Sequence, residues 1–143
     1  MIEWVNEYPI DSSYLKSYHS NWVKNTVELF DKKVLELTVH FVTDDSLLET
    51  NKTFLDHDYY TDIITFDQCY RNIVTGELFI SFDRIVDNAK SMQLSLQDEL
   101  DRVIIHGVLH LIGYHDKTAE QKSIMRQLED EALNRRAMFH VEH

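Results

Sequence analysis

The chain has 143 residues and is 43% hydrophobic, which suits one globular domain with its own core. Its 25 acidic and 14 basic residues give a formal net charge of -11, which argues against a generic nucleic-acid-binding surface, because phosphate contacts need lysine and arginine. A local basic groove or a bound divalent cation can still supply positive potential. Cys69 is the only cysteine, so an internal disulfide is excluded, and no apolar stretch approaches the roughly 20 residues that span a bilayer. We therefore expect residues 1–143 to form a single cytoplasmic domain without a signal peptide or membrane contact.

The first third of the chain predicts a helix, a strand and a second helix. Aromatic and aliphatic residues recur at helical spacing between residues 13 and 31. Residues 34–42 alternate in polarity and are rich in β-branched side chains, which is typical of a strand. Thr43 or Asp44 can cap a short helix that continues to about Phe54.

The middle of the chain predicts further strands. Residues 61–66 are typical of one strand, and residues 72–81 of one or two, with a break or bulge near Gly76. Ser81 or Asp83 can open the helix that follows.

Two helices complete the predicted fold. Ser95 resembles the cap of a capping box, with Asp98 or Glu99 reaching back, and the helix that it opens is apolar on most sides and therefore central. Thr118 to about Arg136 predicts a last amphipathic helix. Its predicted inward residues are Ile124, Met125, Leu128, Ala132 and Leu133. A small mixed sheet of four strands packed with about five helices in one domain predicts an α+β fold, that is, an α/β sandwich.

The central helix carries the strongest functional signal. His106 and His110 are four residues apart, so they share a helix face and their rings can converge on one ion. Gly113 can end the helix in a left-handed conformation and return the chain, which would bring His115 or Asp116 to the same ion. A single histidine on an apolar face is usually a core residue, but two at this spacing rarely arise by chance. Two imidazoles and a third ligand, with one position open, are typical of a catalytic zinc site.

The spacing is similar to that of zinc peptidases with an HExxH motif, but Gly107 stands where those enzymes have their general base. Zinc itself can activate water, and a base can come from another segment, such as Asp62 or Glu77, or from a substrate phosphate. The residues alone do not choose among these sources.

Three segments resemble the YbeY-type endoribonucleases, the bacterial rRNA maturation factors. Residues 106–114 match the pattern HGxLHLxGY. Residues 51–66 are similar to the family motif N-x-x-[FY]-R-x-x-D-x-P-T-[DN]-V-L-S-F, and residues 76–81 to its G-D-I-x-I segment. Along the chain the three segments occur in the family's order, and the resemblance covers roughly residues 34–135. The helix motif at residues 106–114 is specific, whereas the other two would be weak alone.

The resemblance implies a small α/β domain with a mixed sheet and one zinc ion held by three side chains. It implies a metal-dependent hydrolase that cuts single-stranded RNA, matures the 3′ end of 16S rRNA and acts in ribosome quality control. The implied partners are rRNA and the small ribosomal subunit, and the implied location is the cytoplasm.

The chain departs from the family at the third ligand. The family motif ends Gly-Tyr-Asp-His, whereas this chain has His115 and then Asp116, so the ligand position carries Asp116. A carboxylate oxygen binds zinc at about the same distance as an imidazole nitrogen, and we favour His106, His110 and Asp116 as ligands. This set also suits iron, nickel or cobalt. His115 can instead act as an acid or base, because histidine titrates near neutral pH, or it can be an exposed loop residue.

A second departure concerns substrate binding. The family arginine, expected to face the substrate phosphate, aligns with Leu55, which cannot pair with a phosphate. Lys52, Arg71 and Arg84 are candidates to replace it. The surrounding segment is rich in carboxylates, which suits a solvated face turned away from the site.

Two other functions stay open at this level. One is a zinc peptidase-like hydrolase, which Gly107 disfavours. The other is a ribosome-associated binding protein with a purely structural metal, which the acidic charge and Leu55 favour, and which a fourth ligand from His115 would support.

Overall fold

The computed structural model describes residues 1–7, 14–55 and 61–139, which form one mixed sheet and five α-helices. Strands β1 to β4 span Ile2–Asn6, Lys33–Val42, Ile63–Asp67 and Ile73–Ser81. Helices α1 to α5 span His19–Glu28, Asp44–Leu55, Phe82–Met92, Leu96–Ile112 and Ala119–Arg135. A 3-10 helix follows at Arg136–Phe139. The α+β fold with a four-stranded mixed sheet and about five helices is therefore confirmed.

The strands lie in the order β1-β2-β4-β3. β1, β2 and β4 run parallel, and β3 is antiparallel to β4. Side chains alternate between the two faces, as the strand period requires. One face carries the main core, with residues such as Val39 and Leu78, and the other carries a small cluster of Val42, Leu47 and Ile64 beneath α2.

Helix α4 is the centre of the main core, as its sequence predicts. Eleven of its residues are buried, and it packs against α1, α3, α5, β3 and β4. Its Gly107 lies directly over the sheet: a β-carbon there would be 2.6 Å from Ile63 Cδ1 and 3.0 Å from both methyl groups of Leu78. The glycine therefore allows close packing of helix on sheet. None of the described helices is both long and apolar enough to cross a membrane.

Two predictions about the N-terminal half are wrong in detail. The first helix is shorter than the predicted range 13–31. It begins only at His19, and after Leu29 the chain turns through a left-handed residue, Asp31, with φ 59°. Strand β1 is absent from the predicted elements, since its five residues become a strand only through parallel pairing with β2, far along the chain.

The glycine predicted to break a strand does not do so. β4 is continuous through Gly76, and the register shift of the sheet lies instead in β2, between Val34 and Glu36. Gly76 is needed for a close approach, because a β-carbon there would lie 2.5 Å from the carbonyl oxygen of Phe66 on β3.

The predicted helix caps are largely confirmed. Ser81 caps α3 and Ser95 caps α4, each accepting a backbone N–H three residues on. The reciprocal part of the capping box at Ser95 is wrong, because Asp98 pairs with Arg136 and Glu99 with Arg102.

The inward face of the last helix needs one correction. Thr118 caps α5 with a full capping box. Ile124 is 41% exposed rather than inward, because Met125, beside it, takes the core position, and Glu129 joins the buried stripe.

Candidate metal site

The site lies at the C-terminal end of α4 and in the loop that leaves it. The helix ends at Gly113, whose φ of 123° is one that other residues rarely adopt. The N–H groups of Gly113 and Tyr114 both donate to the carbonyl oxygen of Leu109, at 3.1 and 3.0 Å. This closure turns the chain back along the helix and carries Asp116 to the face that bears His106 and His110.

Three ligand atoms converge there. His106 Nε2 lies 3.0 Å from His110 Nε2 and 3.2 Å from Asp116 Oδ2, and His110 Nε2 lies 3.6 Å from the same oxygen. All three atoms lie within 4.8 Å of one another. The side chains are 19%, 25% and 38% exposed, so the group opens to solvent. His115 is exposed and lies outside the group.

The hydrogen bonds of the two imidazoles set which nitrogen faces the group. His106 Nδ1 donates to Glu129 Oε2 at 2.7 Å, and His110 Nδ1 donates to the carbonyl oxygen of Tyr114 at 2.9 Å. A carboxylate and a carbonyl oxygen can only accept, so each Nδ1 carries the hydrogen and each Nε2 presents a lone pair. Two lone pairs and a carboxylate oxygen within contact distance form a donor set that suits a divalent cation.

The pKa shifts of the two histidines follow from their surroundings. Burial lowers the pKa of His110, and the charge of the neighbouring His106 lowers it further. Burial acts in the same direction on His106, but the hydrogen bond and charge of Glu129 outweigh it and raise its pKa. A metal ion binds neutral imidazoles, and in that state the hydrogen bonds of the two Nδ1 atoms leave both Nε2 atoms pointing at the same place.

Glu129 belongs to a buried charge network behind the His-His-Asp group. Its side chain is only 3% exposed, and its second oxygen accepts a hydrogen bond from Arg102 at 3.3 Å. Arg102 is held in turn by a two-point contact with the fully buried Glu99, at 2.7 and 2.8 Å. Glu129 is not among the site residues that the sequence predicts, although a lone carboxylate on the inward stripe of α5, between Met125 and Ala132, is a usable signal.

The structure separates the two carboxylates that were candidate bases. Glu77 is turned to the opposite face of the sheet, where it lies 2.9 Å from His40 Nε2. Asp62 immediately precedes β3, whose Ile63 packs against Gly107. Burial raises the pKa of Asp62, while the charges of His106 and Arg102 lower it, so this carboxyl lies in the electrostatic field of the site.

The candidate replacements for the family arginine are engaged elsewhere. Arg84 makes a two-point ion pair with Asp44, with contacts of 2.9 and 3.1 Å. Lys52 lies 3.8 Å from Glu49, and the guanidinium of Arg71 lies 5.3 Å from the ring centroid of Tyr70.

Comparison with known proteins places the chain. The family model described as Endoribonuclease YbeY matches residues 3–137. The Endoribonuclease YbeY of Bacteroides thetaiotaomicron is 46% identical over 114 residues, which are 80% of this chain and 83% of that protein. The Endoribonuclease YbeY of Cytophaga hutchinsonii is 47% identical over 116 residues, or 80% of this chain and 81% of that one.

A solved structure agrees with these relatives. The solution structure of TM1509 from Thermotoga maritima is similar with a TM-score of 0.67 and 25% identity, over 96% of this chain and 93% of that one. The matched family defines the class, a hydrolase that acts as an endoribonuclease, and the site adds a His-His-Asp group that could hold a metal ion. The chain belongs to the YbeY endoribonuclease family.

Proposed function

We propose that the protein, acting as one domain over residues 1–143, is a zinc-dependent endoribonuclease that cuts single-stranded RNA in the cytoplasm. Its substrate is rRNA of the small ribosomal subunit, and its role is maturation of the 16S rRNA 3′ end and ribosome quality control. The observation that carries the proposal is the convergence of His106 Nε2, His110 Nε2 and Asp116 Oδ2 in a chain of this family.

The residues of the site have three roles: binding the metal ion, orienting a ligand and transferring a proton. His106, His110 and Asp116 hold the ion, and Glu129 fixes the ring of His106. A bound zinc ion supplies activation of water and stabilisation of negative charge on the phosphate. His115, exposed beside the ligands, donates or accepts the proton that cleavage of a phosphodiester moves.

A purely structural metal is the weaker alternative. Structural zinc sites are closed by four protein ligands, whereas the group found among the described residues offers three. The exposure of all three side chains also leaves room for a substrate.

A peptidase is disfavoured by the direction of residue 107. A side chain there would point into the sheet, at Ile63 and Leu78, and not towards the ligand atoms of His106 and His110. A glutamate at this position would be directed away from the ligand atoms, so the general base of an HExxH peptidase has no counterpart at residue 107.

The central experiment is cleavage of a labelled single-stranded RNA by the purified protein, with and without a chelator. We expect activity to disappear with the chelator and to return when zinc is restored. His110→Ala should reduce the rate by more than the roughly 10–100-fold typical of residues behind the ligands. Cleavage that survives both treatments would disprove the zinc-nuclease function.

The third ligand is tested by a matched pair of variants. Asp116→Ala should lose bound metal, measured by elemental analysis after dialysis, whereas Asp116→His should retain it, because an imidazole can take the same position. His115→Ala should retain the metal and lower only the rate of cleavage. Loss of metal from His115→Ala but not from Asp116→Ala would reverse the assignment.

A further inference from the structure

The residues that lead into α5 and the first two turns of that helix carry a group of cations on an otherwise acidic protein. Between residues 117 and 128 the chain has Lys117, Lys122 and Arg126 against one carboxylate, Glu120. The three cationic side chains belong to exposed residues, and within the described ranges none of them has an ion pair within 4.0 Å. We call these three residues the α5 cation patch.

Helical geometry directs the patch to the metal site. Glu129, whose oxygen lies 2.7 Å from His106, marks the face of α5 that looks at the ligands. At about 100° per residue, Lys122 lies about 20° from that direction and Arg126 about 60°. Glu120 is about 180° away, on the opposite side. Lys122 and Arg126 therefore lie on the side of α5 that faces the site, whereas Glu120 does not, and the exposed Asp130 lies about 100° from the direction of Glu129.

The backbone beneath the patch is well held. Lys117 follows the ligand candidate Asp116 directly, and the N–H groups of Lys117 and Thr118 both donate to Gln121 Oε1, at 3.0 and 3.2 Å. Thr118 Oγ1 accepts the N–H of Gln121 at 3.1 Å in return. The start of the patch is thus fixed next to the ligands by a capping box.

We propose that the α5 cation patch binds the phosphate backbone of single-stranded RNA as the strand crosses the metal site. The inference rests on the proposed nuclease function and supplies the substrate contact that Leu55 cannot make. Charge complementarity favours it, because a polyanion meets repulsion elsewhere on a chain of net charge -11. Contacts of this kind bind any sequence, since phosphates carry no base information.

The test is the salt dependence of RNA cleavage by the metal-loaded protein. The double variant Lys122→Gln/Arg126→Gln should raise KM at low salt and leave kcat unchanged, since both cations bind substrate and transition state alike. The slope of log(kcat/KM) against log[salt] is negative, and each lost phosphate contact should make it shallower by about 0.7. The slope of the double variant should therefore be shallower by about 1.4.

A matched control removes the same charge far from the site. Lys24→Gln/Lys90→Gln changes two exposed lysines, one beside Met1 and Val34 at the β1 edge and one at the end of α3. Lys90 is in the last turn of α3, shortly before α4 begins at Leu96. The start of α4 is about 15 Å from His106 along the helix. This control should keep the slope of the unchanged protein.

The outcomes separate the two proposals. An equal slope and KM in the double variant, the control and the unchanged protein would overturn the patch while leaving the nuclease function standing. A complete lack of RNA cleavage by the unchanged protein would overturn both. Lys122→Arg/Arg126→Lys, which keeps the charges, should restore KM, and failure to do so would show that charge is not what these positions contribute.

Discussion

The bond between His106 and Glu129 does two things at the site. It fixes the tautomer, so that Nε2 faces the other ligand atoms, and it places a negative charge behind the ring, which makes the imidazole a better ligand. Arg102 and Glu99 keep Glu129 in place without leaving a buried charge unpaired. The arrangement of ligand, carboxylate and arginine thus acts as one unit.

The role of Glu129 gives the first prediction. Glu129→Gln keeps a group that can accept the hydrogen bond but removes the charge behind His106, so affinity for zinc should fall by about 10–100-fold. Competition with a chromophoric chelator measures the dissociation constant directly. Asp130→Asn, which alters the next residue on an exposed position of the same helix, should leave it unchanged. Equal affinity in Glu129→Gln and Asp130→Asn would show that Glu129 serves folding alone.

The sequence predicts the His-His-Asp group more readily than it predicts Glu129, the carboxylate behind it. His106, His110 and Asp116 belong to one segment of eleven residues, and their helical spacing and the glycine turn suffice to bring them together. Glu129 joins them across 23 positions, through the packing of one helix on another. A carboxylate on the inward stripe of α5 indicates that Glu129 has a buried partner, but no local pattern says that the partner is His106, so the sequence predicts the His-His-Asp group without this carboxylate.

At the scale of elements, the predicted helices and strands were accurate where local chemistry decides. Helix α4 has a cap at Ser95, a strong apolar pattern and a stop at Gly113, and its predicted bounds are confirmed. Strand β1 has none of these signals, because it is defined by its hydrogen bonds to β2. The meaning of Gly76 was also out of reach, since the atom that requires the glycine belongs to β3.

The contact of α4 with the sheet gives a prediction about Gly107. Gly107→Glu should destabilise the fold by several kcal/mol, because the carboxylate would be buried against Ile63 and Leu78 without a partner. Gly107→Ala should change stability by less than about 1.5 kcal/mol, since the gain in helix propensity offsets part of the crowding against flexible methyl groups. Urea unfolding measures both. A stable Gly107→Glu protein would mean that residue 107 does not face the sheet.

At the scale of the whole molecule, a second buried network joins segments that lie far apart in the chain. Asp101 on α4 is fully buried and accepts hydrogen bonds from Tyr18, His19, Gln97 and Arg136. These partners come from the start of α1, from α4 itself and from the C-terminal 3-10 helix. The network lies near the N-terminal half of α4, away from the metal ligands, and therefore supports the fold and not the chemistry.

This network makes a prediction about stability and pH. Burial alone would raise the pKa of Asp101, but the hydrogen bonds from His19, Tyr18 and Arg136 outweigh it and lower the pKa. A carboxyl with a lowered pKa in the folded state contributes stability above its unfolded pKa of about 3.9, and loses it as the pH falls through the folded value. Asp101→Asn should therefore cost about 3 kcal/mol at pH 7, and the difference from the unchanged protein should shrink below about pH 4.

The neighbouring Asp98 provides the comparison. It also pairs with Arg136, at 2.8 Å, but its side chain is 50% exposed, so Asp98→Asn should cost less than about 1 kcal/mol. Urea unfolding of both variants between pH 7 and pH 3 measures the two differences on one scale. If Asp101→Asn loses no more stability than Asp98→Asn at pH 7, or if its deficit persists unchanged at pH 3, the ionised Asp101 does not hold the helices together. We expect a large, acid-sensitive loss in the free energy of unfolding at Asp101 and a small loss at Asp98. The reason is that the groups that donate to Asp101 are buried and cannot bond to water when the carboxylate is removed, whereas those at the exposed Asp98 can.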